Sequence, residues 1–508
     1  MARRKVLLLG LDAAEHSLLL EGCDSGWLPT LRSLRDRGAW GLALSPPGFG
    51  SGAIWPSFST GVTPATHGRY FYRQVAPGDY RAHKFEASEF RFPAFWETIS
   101  EAGRRVAVFD VPKMGLSTSL DGLMSVDWIV HGPVYNELRT TPPDLARELV
   151  VRFGADPLPQ CDYPGTRSVA QNHEFLDQMI HRVDQRKRCT LELMKSEPWD
   201  LFVTVFAEPH CVGHQCWHLR EPNHPLYDAA SAQAVGDPVR VVYEAIDRAM
   251  GEIIAGVDDE TVVIVFSGTG MGPNYTGNYV LDEVLRRREG HSKTRRVDWF
   301  TRAKLAVKEV LPRELRQRGR RLSRQLEEAA TQTDRAQRLC YVVPHNDIAG
   351  AIRVNLVGRE PEGRVHRGEE LDALYQSLRR DLLDLVNLDT GGPVVEDVVR
   401  VADHCQGPEL DVMPDFFVIW RREMPIDRVG SERVGEVVYR HRGNRTGDHG
   451  PDSIFFASGP GVAPGRLLDR TVMDFAPTIA QLVEVDLGQT DGELIEAFDS
   501  PAPAAHAG

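Results

Sequence analysis

Residues 201–218 read LFVTVFAEPHCVGHQCWH, an almost wholly apolar run followed by a polar segment with His210, His214 and His218 at four-residue steps. A run so short and so apolar has the texture of a strand buried on both faces, as in a parallel sheet covered by helices. The same texture recurs at VLLLGL (6–11), VAVF (106–109), TVVIVF (261–266), DFFVIW (415–420) and SIFFAS (453–458). Helical patterns lie between these runs: LPTLRSLRDRG, FWETISEAGRR, VVYEAIDRAMGEIIAGV and DFAPTIAQLVEV. Their alternation predicts an α/β fold, a mainly parallel sheet sandwiched between helices.

Two stretches break the alternation. Residues of about 116–195 are Pro-rich and then helical. Residues 284–412 begin with a basic tract, RRREGHSKTRR through RELRQRGRRLSRQLEE, and continue as a strand, a loop and a helix in AIRVNLVGREPEGRV and LDALYQSLRRDLLDLV. The expected organisation is a core of residues 1–283 and 413–485, carrying the irregular insertion at 116–195, with 284–412 as an inserted cap. Residues 486–508 are expected to form a disordered tail, because SPAPAAHAG is small, Pro-rich and aperiodic. The basic tract reads as a solvated amphipathic helix whose Arg residues pair with nearby acids. A contact surface for an anionic substrate or a membrane headgroup is the functional alternative.

A chain of 508 residues is long enough for a large core and more than one structural unit. Its 59 basic and 72 acidic residues give a formal charge of −13, which argues against non-specific nucleic-acid binding. The start, MARRKVLLLGLDAAEH, could suggest a secretion signal, but Asp12 interrupts the apolar run and no small-residue cleavage site follows. A buried first strand is expected instead. No segment approaches the length of a transmembrane span. The seven cysteines are scattered and odd in number, as in a reduced protein, so a cytoplasmic location is the default.

Ligands of open α/β sheets sit beyond the carboxyl ends of the strands. Asp12 ends the first run, and Glu208, His210 and His214 follow LFVTVF; one helical turn puts the two histidines on the same side. His449 lies in RTGDHGPDSIFFAS, just ahead of another run. A single histidine is more often a hydrogen-bonded structural residue than a ligand, but several at strand ends shift that balance. In PPGFGSGAIWPSFSTGVTPATHG (46–68) the glycines permit close approach of backbone to ligand, and a hydroxyl at a helix start faces the positive end of the dipole. Ser51, Ser57, Ser59 and Thr60 are all candidates on that ground, beside the plainer reading of a Ser/Thr-rich helix cap.

The ordered series GLDAAEH, WPSFSTGVTPATHG preceded by a hydroxyl residue, EPHCVGHQCWH, SGTGMGP, VNLVGREPEG and TGDHGPDSIFFASGPG resembles the alkaline phosphatase superfamily. More narrowly it resembles the type I phosphodiesterase/nucleotide pyrophosphatase branch and its bacterial relatives, over about residues 5–485. The resemblance implies two metal ions, zinc or sometimes manganese, beside a Ser or Thr nucleophile. By motif, Asp12 matches the first metal ligand, and His214 and His449 match two ligands of one ion. Ser51 matches the nucleophile, which stands nine residues ahead of the Thr in Thr60-Gly61.

Three positions depart from that pattern. His210 stands where the family carries Asp, exchanging one competent ligand for another. Gly268 and Thr269 stand where relatives carry the Asp and His that bind the second ion with Asp12 and the nucleophile. The expectation is therefore a mononuclear centre of His210, His214 and His449 holding one zinc or manganese ion, with the make-up of a catalytic zinc site. Gly268 is also expected to open space beside Ser51. Asp12, released from metal binding, is expected to act as general base toward Ser51.

Glu208, His218, Thr269 and Asp448 are possible accessory residues; His218 could contact substrate, extend the ligand set or cap a helix. Cys211 and Cys216 lack a partner pair of zinc-finger spacing and are expected to be packing residues. The expected activity is metal-dependent hydrolysis or transfer on a phosphate ester, chiefly a phosphodiester. Its substrate would be a small anion, the resemblance also allowing sulfate or phosphonate esters. Two alternatives are a repurposed group-transfer, cyclisation or elimination enzyme and a non-catalytic binding protein on the same scaffold.

Overall fold

The strand Lys5–Leu11 pairs in parallel with Leu201–Phe206 on one side and Thr261–Ser267 on the other. The computed structural model that shows this describes residues 4–162, 165–291, 331–346, 348–439 and 445–498. Because side chains of a strand alternate between faces, Leu7, Leu9 and Leu11 enter the core on one side of the sheet, while Val6 and Leu8 enter the core on the other. Phe202 and Phe206 divide from Val203 and Val205 in the same way. Two buried faces account for the near-continuous apolar runs.

The sheet extends from Leu201–Phe206 through Val106–Phe109 to Gly122–Val126, all parallel, and ends at the antiparallel Arg139–Thr141. On the other flank Asp452–Ser458 is antiparallel to Thr261–Ser267, followed by Ala39–Leu44. Helices cover both faces, including Val169–Leu193 and Pro238–Ile254 on one and Ser51–Thr60 and Phe475–Leu482 on the other. The architecture is the expected mainly parallel sheet between helical layers.

One apolar run belongs elsewhere. Residues 415–420, expected in the main sheet, supply Phe416–Trp420 to a separate antiparallel sheet with Cys340–Val342, Ala349–Val354 and Val395–Arg400. Phe416, Val418 and Trp420 face a core shared with the helices Asn278–Arg288 and Glu369–Leu383, while Phe417 faces a different cluster with Phe49 and Tyr70. Burial on both faces gives this strand the same apolar texture as a central parallel strand. The second sheet thus crosses the expected boundary at 412/413. A three-stranded antiparallel sheet, Val386–Asn387, Arg428–Ser431 and Gly435–Val438, adjoins it in sequence.

The tail from 486 is likewise not uniformly unstructured, since Ile495 and Phe498 are buried against the main core. Residues 499–508 and most of the basic tract, 292–330, lie outside the described residues. Among the described residues no helix is long and apolar enough to cross a membrane.

The helix Ser51–Thr60 is locked by a buried histidine. His67 Nδ1 accepts from the backbone N–H of Arg69 at 3.1 Å, so Nε2 carries the proton and donates to Ser57 Oγ at 3.0 Å. Burial, followed by the nearby Arg69 charge, pulls His67 down to about 3, so the folded ring is neutral. The unfolded chain protonates this ring near the ordinary value of about 6.5. Between those values the unfolded state binds the extra proton, so stability is complete above the window and falls as pH drops through it. His67→Gln should cost about 1 kcal/mol at neutral pH and flatten the loss of melting temperature between about pH 6.5 and pH 4. Thermal unfolding of both proteins across that range checks this; equally steep curves would remove His67 as the cause.

Candidate metal centre and pocket

The three central strands end level, with Leu11 opposite both Phe206 and Ser267. The next residues stay in step: Asp12 N–H donates to Phe206 O at 2.9 Å, and Gly268 N–H donates to Leu11 O at 3.2 Å. The helix Glu208–Cys216 begins directly beyond Phe206, with Pro209 in its first turn, where a missing N–H costs nothing. His210 and His214 therefore sit one turn apart over the strand tips, their ring centroids 4.4 Å apart.

His449 arrives from the ribbon Gly447–Gly450, paired with Gly270–Pro273 so that His449 faces Met271. Its ring centroid lies 4.9 Å from those of both His210 and His214. The ribbon approaches the helix so closely that a Cβ on Gly447 would stand 2.3 Å from Gly213 O, which only glycine avoids.

The three imidazoles are 4, 0 and 1 % exposed, and one ligand atom from each lies within 4.8 Å of the others. His210 Nδ1, His214 Nε2 and His449 Nε2 have no hydrogen-bond partner, and His449 Nδ1 has only a poorly aligned contact with Asp448 Oδ1 at 3.4 Å. Each such orphan costs about 1–3 kcal/mol in a dry site, a cost that a shared cation would remove. His214 Nδ1 donates to Gly447 O at 2.6 Å, which leaves Nε2 as the lone-pair nitrogen and fixes the ring. Burial, reinforced by neighbouring positive groups, holds His210 and His214 well below the usual imidazole range, in the neutral form a metal requires. These residues fit a divalent cation.

Asp12 does not join them. Among the described residues it belongs to no group of three potential ligands, and its Oδ1 accepts from the indole Nε1–H of Trp55 at 2.9 Å. Trp55 also decides the fate of the neighbouring position. A Cβ on Gly268 would lie 2.5 Å from Trp55 Cε2 and 2.6 Å from Nε1. The space expected to open at Gly268 is therefore filled by an indole, and Thr269 Oγ1 is buried without a partner.

Ser51 is the first residue of its helix, next to the N-cap Gly50, and lines a pocket of about 690 Å³ together with His210, Asp448 and His449. The other candidate hydroxyls lie further along the helix, Thr60 at its last residue. Ser57 is bonded to His67, Thr60 Oγ1 donates to Pro56 O at 2.8 Å, and Ser59 Oγ is buried without a partner.

The accessory candidates separate similarly. Glu208 is 1 % exposed, with Arg182 Nε 3.8 Å from its carboxylate, and burial raises its pKa against the Arg182 charge. His218 pairs with Thr446 Oγ1 at 3.1 Å, and Thr446 N–H donates to His214 O at 2.7 Å, so His218 braces the segment leading to His449. Asp448 accepts the His449 backbone N–H at 2.8 Å and lines the pocket.

The sequence did not single out Arg69, Lys113, His131, Cys161 or Arg445, which line the pocket, or Trp55, which donates to Asp12. His131 and Lys113 follow the strands Gly122–Val126 and Val106–Phe109, so position beyond a strand end was the available signal. Trp55 lies on a helix, and its role depends on the empty Gly268 position across the core.

An α/β sandwich with a histidine-rich centre at its strand ends has the make-up of a metal-dependent hydrolase. The family model for type I phosphodiesterase / nucleotide pyrophosphatase matches residues 6–403, and the chain belongs to that family. Among solved structures, phosphonoacetate hydrolase from Sinorhizobium meliloti 1021 in complex with phosphonoacetate is similar at a TM-score of 0.53 and 14% identity, covering 95% of this chain and 96% of that one. Murine ectonucleotide pyrophosphatase / phosphodiesterase 5 is similar at a TM-score of 0.50 and 12% identity, covering 97% of this chain and 98% of that one. At such identities these likenesses concern the fold. Comparison with curated proteins gives no match.

Restoring the family's Asp-His pair should fail while the indole remains. The G268D/T269H variant should lose about 1–3 kcal/mol of stability through overpacking and gain no metal, whereas W55A/G268D/T269H should gain one ion per chain. Metal analysis with thermal unfolding checks this, and an added ion in G268D/T269H would show that Trp55 is not the obstacle.

Proposed function

We propose that this chain hydrolyses phosphate esters, chiefly phosphodiesters, through Ser51, beside one zinc or manganese ion held by His210, His214 and His449. The observation that carries the reading is the convergence of three buried imidazoles with unpartnered nitrogens, two of which, His210 and His449, line the pocket that Ser51 also lines. An ion there supplies Lewis-acid polarisation of the ester's phosphoryl oxygen.

The protein groups supply the rest. Ser51 sits at a helix N-terminus, where the dipole favours both an anionic ligand and a more acidic hydroxyl. Trp55 lies one turn further along that helix, so Ser51 and Trp55 share a face. The indole holds Asp12 Oδ1, presenting the Asp12 carboxylate on the side of the helix that carries Ser51. Asp12 accepts the Ser51 proton as the oxygen attacks phosphorus, the P–O bond to the leaving group breaks, and the departing alkoxide takes a proton from water to leave as the alcohol. Arg69, Lys113 and Arg445 line the pocket and bind the anionic oxygens. Water then releases phosphate or a phosphomonoester from the serine.

A second reading, transfer to an acceptor other than water, is favoured by the indole-filled second site, which removes the ion that would assist water. Product analysis decides between the two.

Steady-state hydrolysis of bis(p-nitrophenyl) phosphate, with added zinc or manganese, tests the proposal. Ser51→Ala should abolish turnover, Asp12→Asn should lower it by about 10²–10⁴-fold, and His214→Ala should lose both the ion and activity. Wild-type turnover in Ser51→Ala would remove the serine from the mechanism. Inertness of the metal-loaded wild type toward aryl phosphate, phosphonate and sulfate esters would favour a binding protein.

A further inference from the structure

A second group of potential ligands lies beside the imidazole centre. Cys161 Sγ is 3.2 Å from Cys211 Sγ, and His131 Nδ1 is 2.7 Å from Cys161 Sγ and 3.8 Å from Cys211 Sγ. The three donors come from separate parts of the chain. His131 follows the strand Gly122–Val126, Cys161 lies in the connection between the helices Leu145–Phe153 and Val169–Leu193, and Cys211 is on the helix Glu208–Cys216. Cys161 and Cys211 are buried, and Cys161 and His131 line the pocket.

We propose that His131, Cys161 and Cys211 form a second cation site, specific for a thiophilic divalent ion such as zinc, with its fourth position open to the pocket. It goes beyond the phosphoesterase reading and does not depend on it. Ligands around tetrahedral zinc, with Zn–S of about 2.3 Å and Zn–N of about 2.0–2.1 Å, stand roughly 3.5–3.8 Å apart. All three pairs are already within 3.8 Å, and adjustments below about 1 Å bring them to that spacing. The Sγ–Sγ separation of 3.2 Å is well beyond a disulfide bond of about 2.05 Å. A two-sulfur, one-imidazole donor set selects zinc over manganese or magnesium.

The surroundings are prepared for negative sulfur. Arg182, wholly buried, places Nη1 3.5 Å from Cys211 Sγ while Nη2 contacts Asp156 at 3.0 Å. Two thiolates against one shared guanidinium leave unbalanced negative charge, which a dication between them offsets. His131 Nε2 lies 3.3 Å from Arg445 Nη2, so in the metal-free ring Nδ1 carries the proton. Cation binding moves that proton to Nε2, and Arg445 keeps its contact with Asp162 at 3.2 Å. The ring centroid of His210 is 4.0 Å from that of His131, which sets the two centres side by side. Cys211 is therefore assigned a partner in Cys161 rather than in the nearby Cys216, whose sulfur stands 3.9 Å from Asn172 Oδ1.

The experiment uses full-length protein stripped with chelator, kept reduced and titrated with zinc or cobalt(II). Wild type should bind two zinc ions per chain, and C161S/C211S and His214→Ala one each. Cobalt-loaded wild type and His214→Ala should show thiolate-to-cobalt charge-transfer absorption, lost in C161S/C211S. Equal zinc content in wild type and C161S/C211S overturns the proposal, as does loss of the charge-transfer absorption in His214→Ala, which would mean one shared ion. Independently of any substitution, zinc should protect Cys161 and Cys211 of native wild type from alkylation, read by mass spectrometry. Equal labelling with and without zinc, or a Cys161–Cys211 disulfide that persists under reductant, also overturns it.

Discussion

Three parallel strands ending at the same level, Leu11 beside Phe206 and Ser267, constrain everything built above them. Hydrogen bonds carry the register one residue further, so Asp12, Ala207 and Gly268 emerge side by side. A helix starting at once from Leu201–Phe206, beside the middle strand, must then hold His210 and His214 over that edge. The ribbon containing His449 can reach them because Gly447 lets its backbone approach Gly213 O, while Gly213 leaves room for the Met271 side chain. The imidazole cluster is thus a consequence of strand register, helix pitch and one tight backbone crossing.

The same edge explains how a buried carboxylate is held at Asp12. Asp12 is 3 % exposed, and a buried carboxylate requires a strong donor. The indole of Trp55 supplies one, and it can reach Asp12 because residue 268 has no side chain in the way. Trp55 is fixed in turn by edge contacts with Phe58 and Phe266, their centroids each 5.7 Å from its own. Glycine at 268 and tryptophan at 55 are two halves of one packing arrangement. The Gly268 vacancy, taken alone, suggested open space; the packing partner that closes it is 213 residues earlier in the sequence.

The legible parts of the molecule were those written in local pattern. Strands buried on both faces declare themselves as apolar runs, and the four-residue spacing of His210 and His214 specifies a shared helical side. Phe416–Trp420 has the same apolar texture because it too is covered on both faces, so pattern could not assign it to the smaller sheet. His131 and Cys161 were not legible as site residues. They lie in irregular loops, and only the strand Gly122–Val126 and the connection after Phe153 bring them to Cys211. A spacing rule compares cysteines near in sequence, and Cys161 and Cys211 are 50 residues apart.

Net charge is the property least informative about the site. The whole chain carries −13, yet the pocket wall concentrates Arg69, Lys84, Lys113 and Arg445. Arg69 is 5 % exposed, its Nε has no partner, and burial lowers its pKa to about 10. Lys113 is likewise lowered, first by burial and then by Arg69 and Arg445, against the attraction of Asp12. Cations placed where they repel one another and lose hydration destabilise the empty pocket. An acidic chain can therefore still present a local cluster of cations, because screening confines the distant field to about a Debye length of 8 Å while the cations of the pocket wall act at contact.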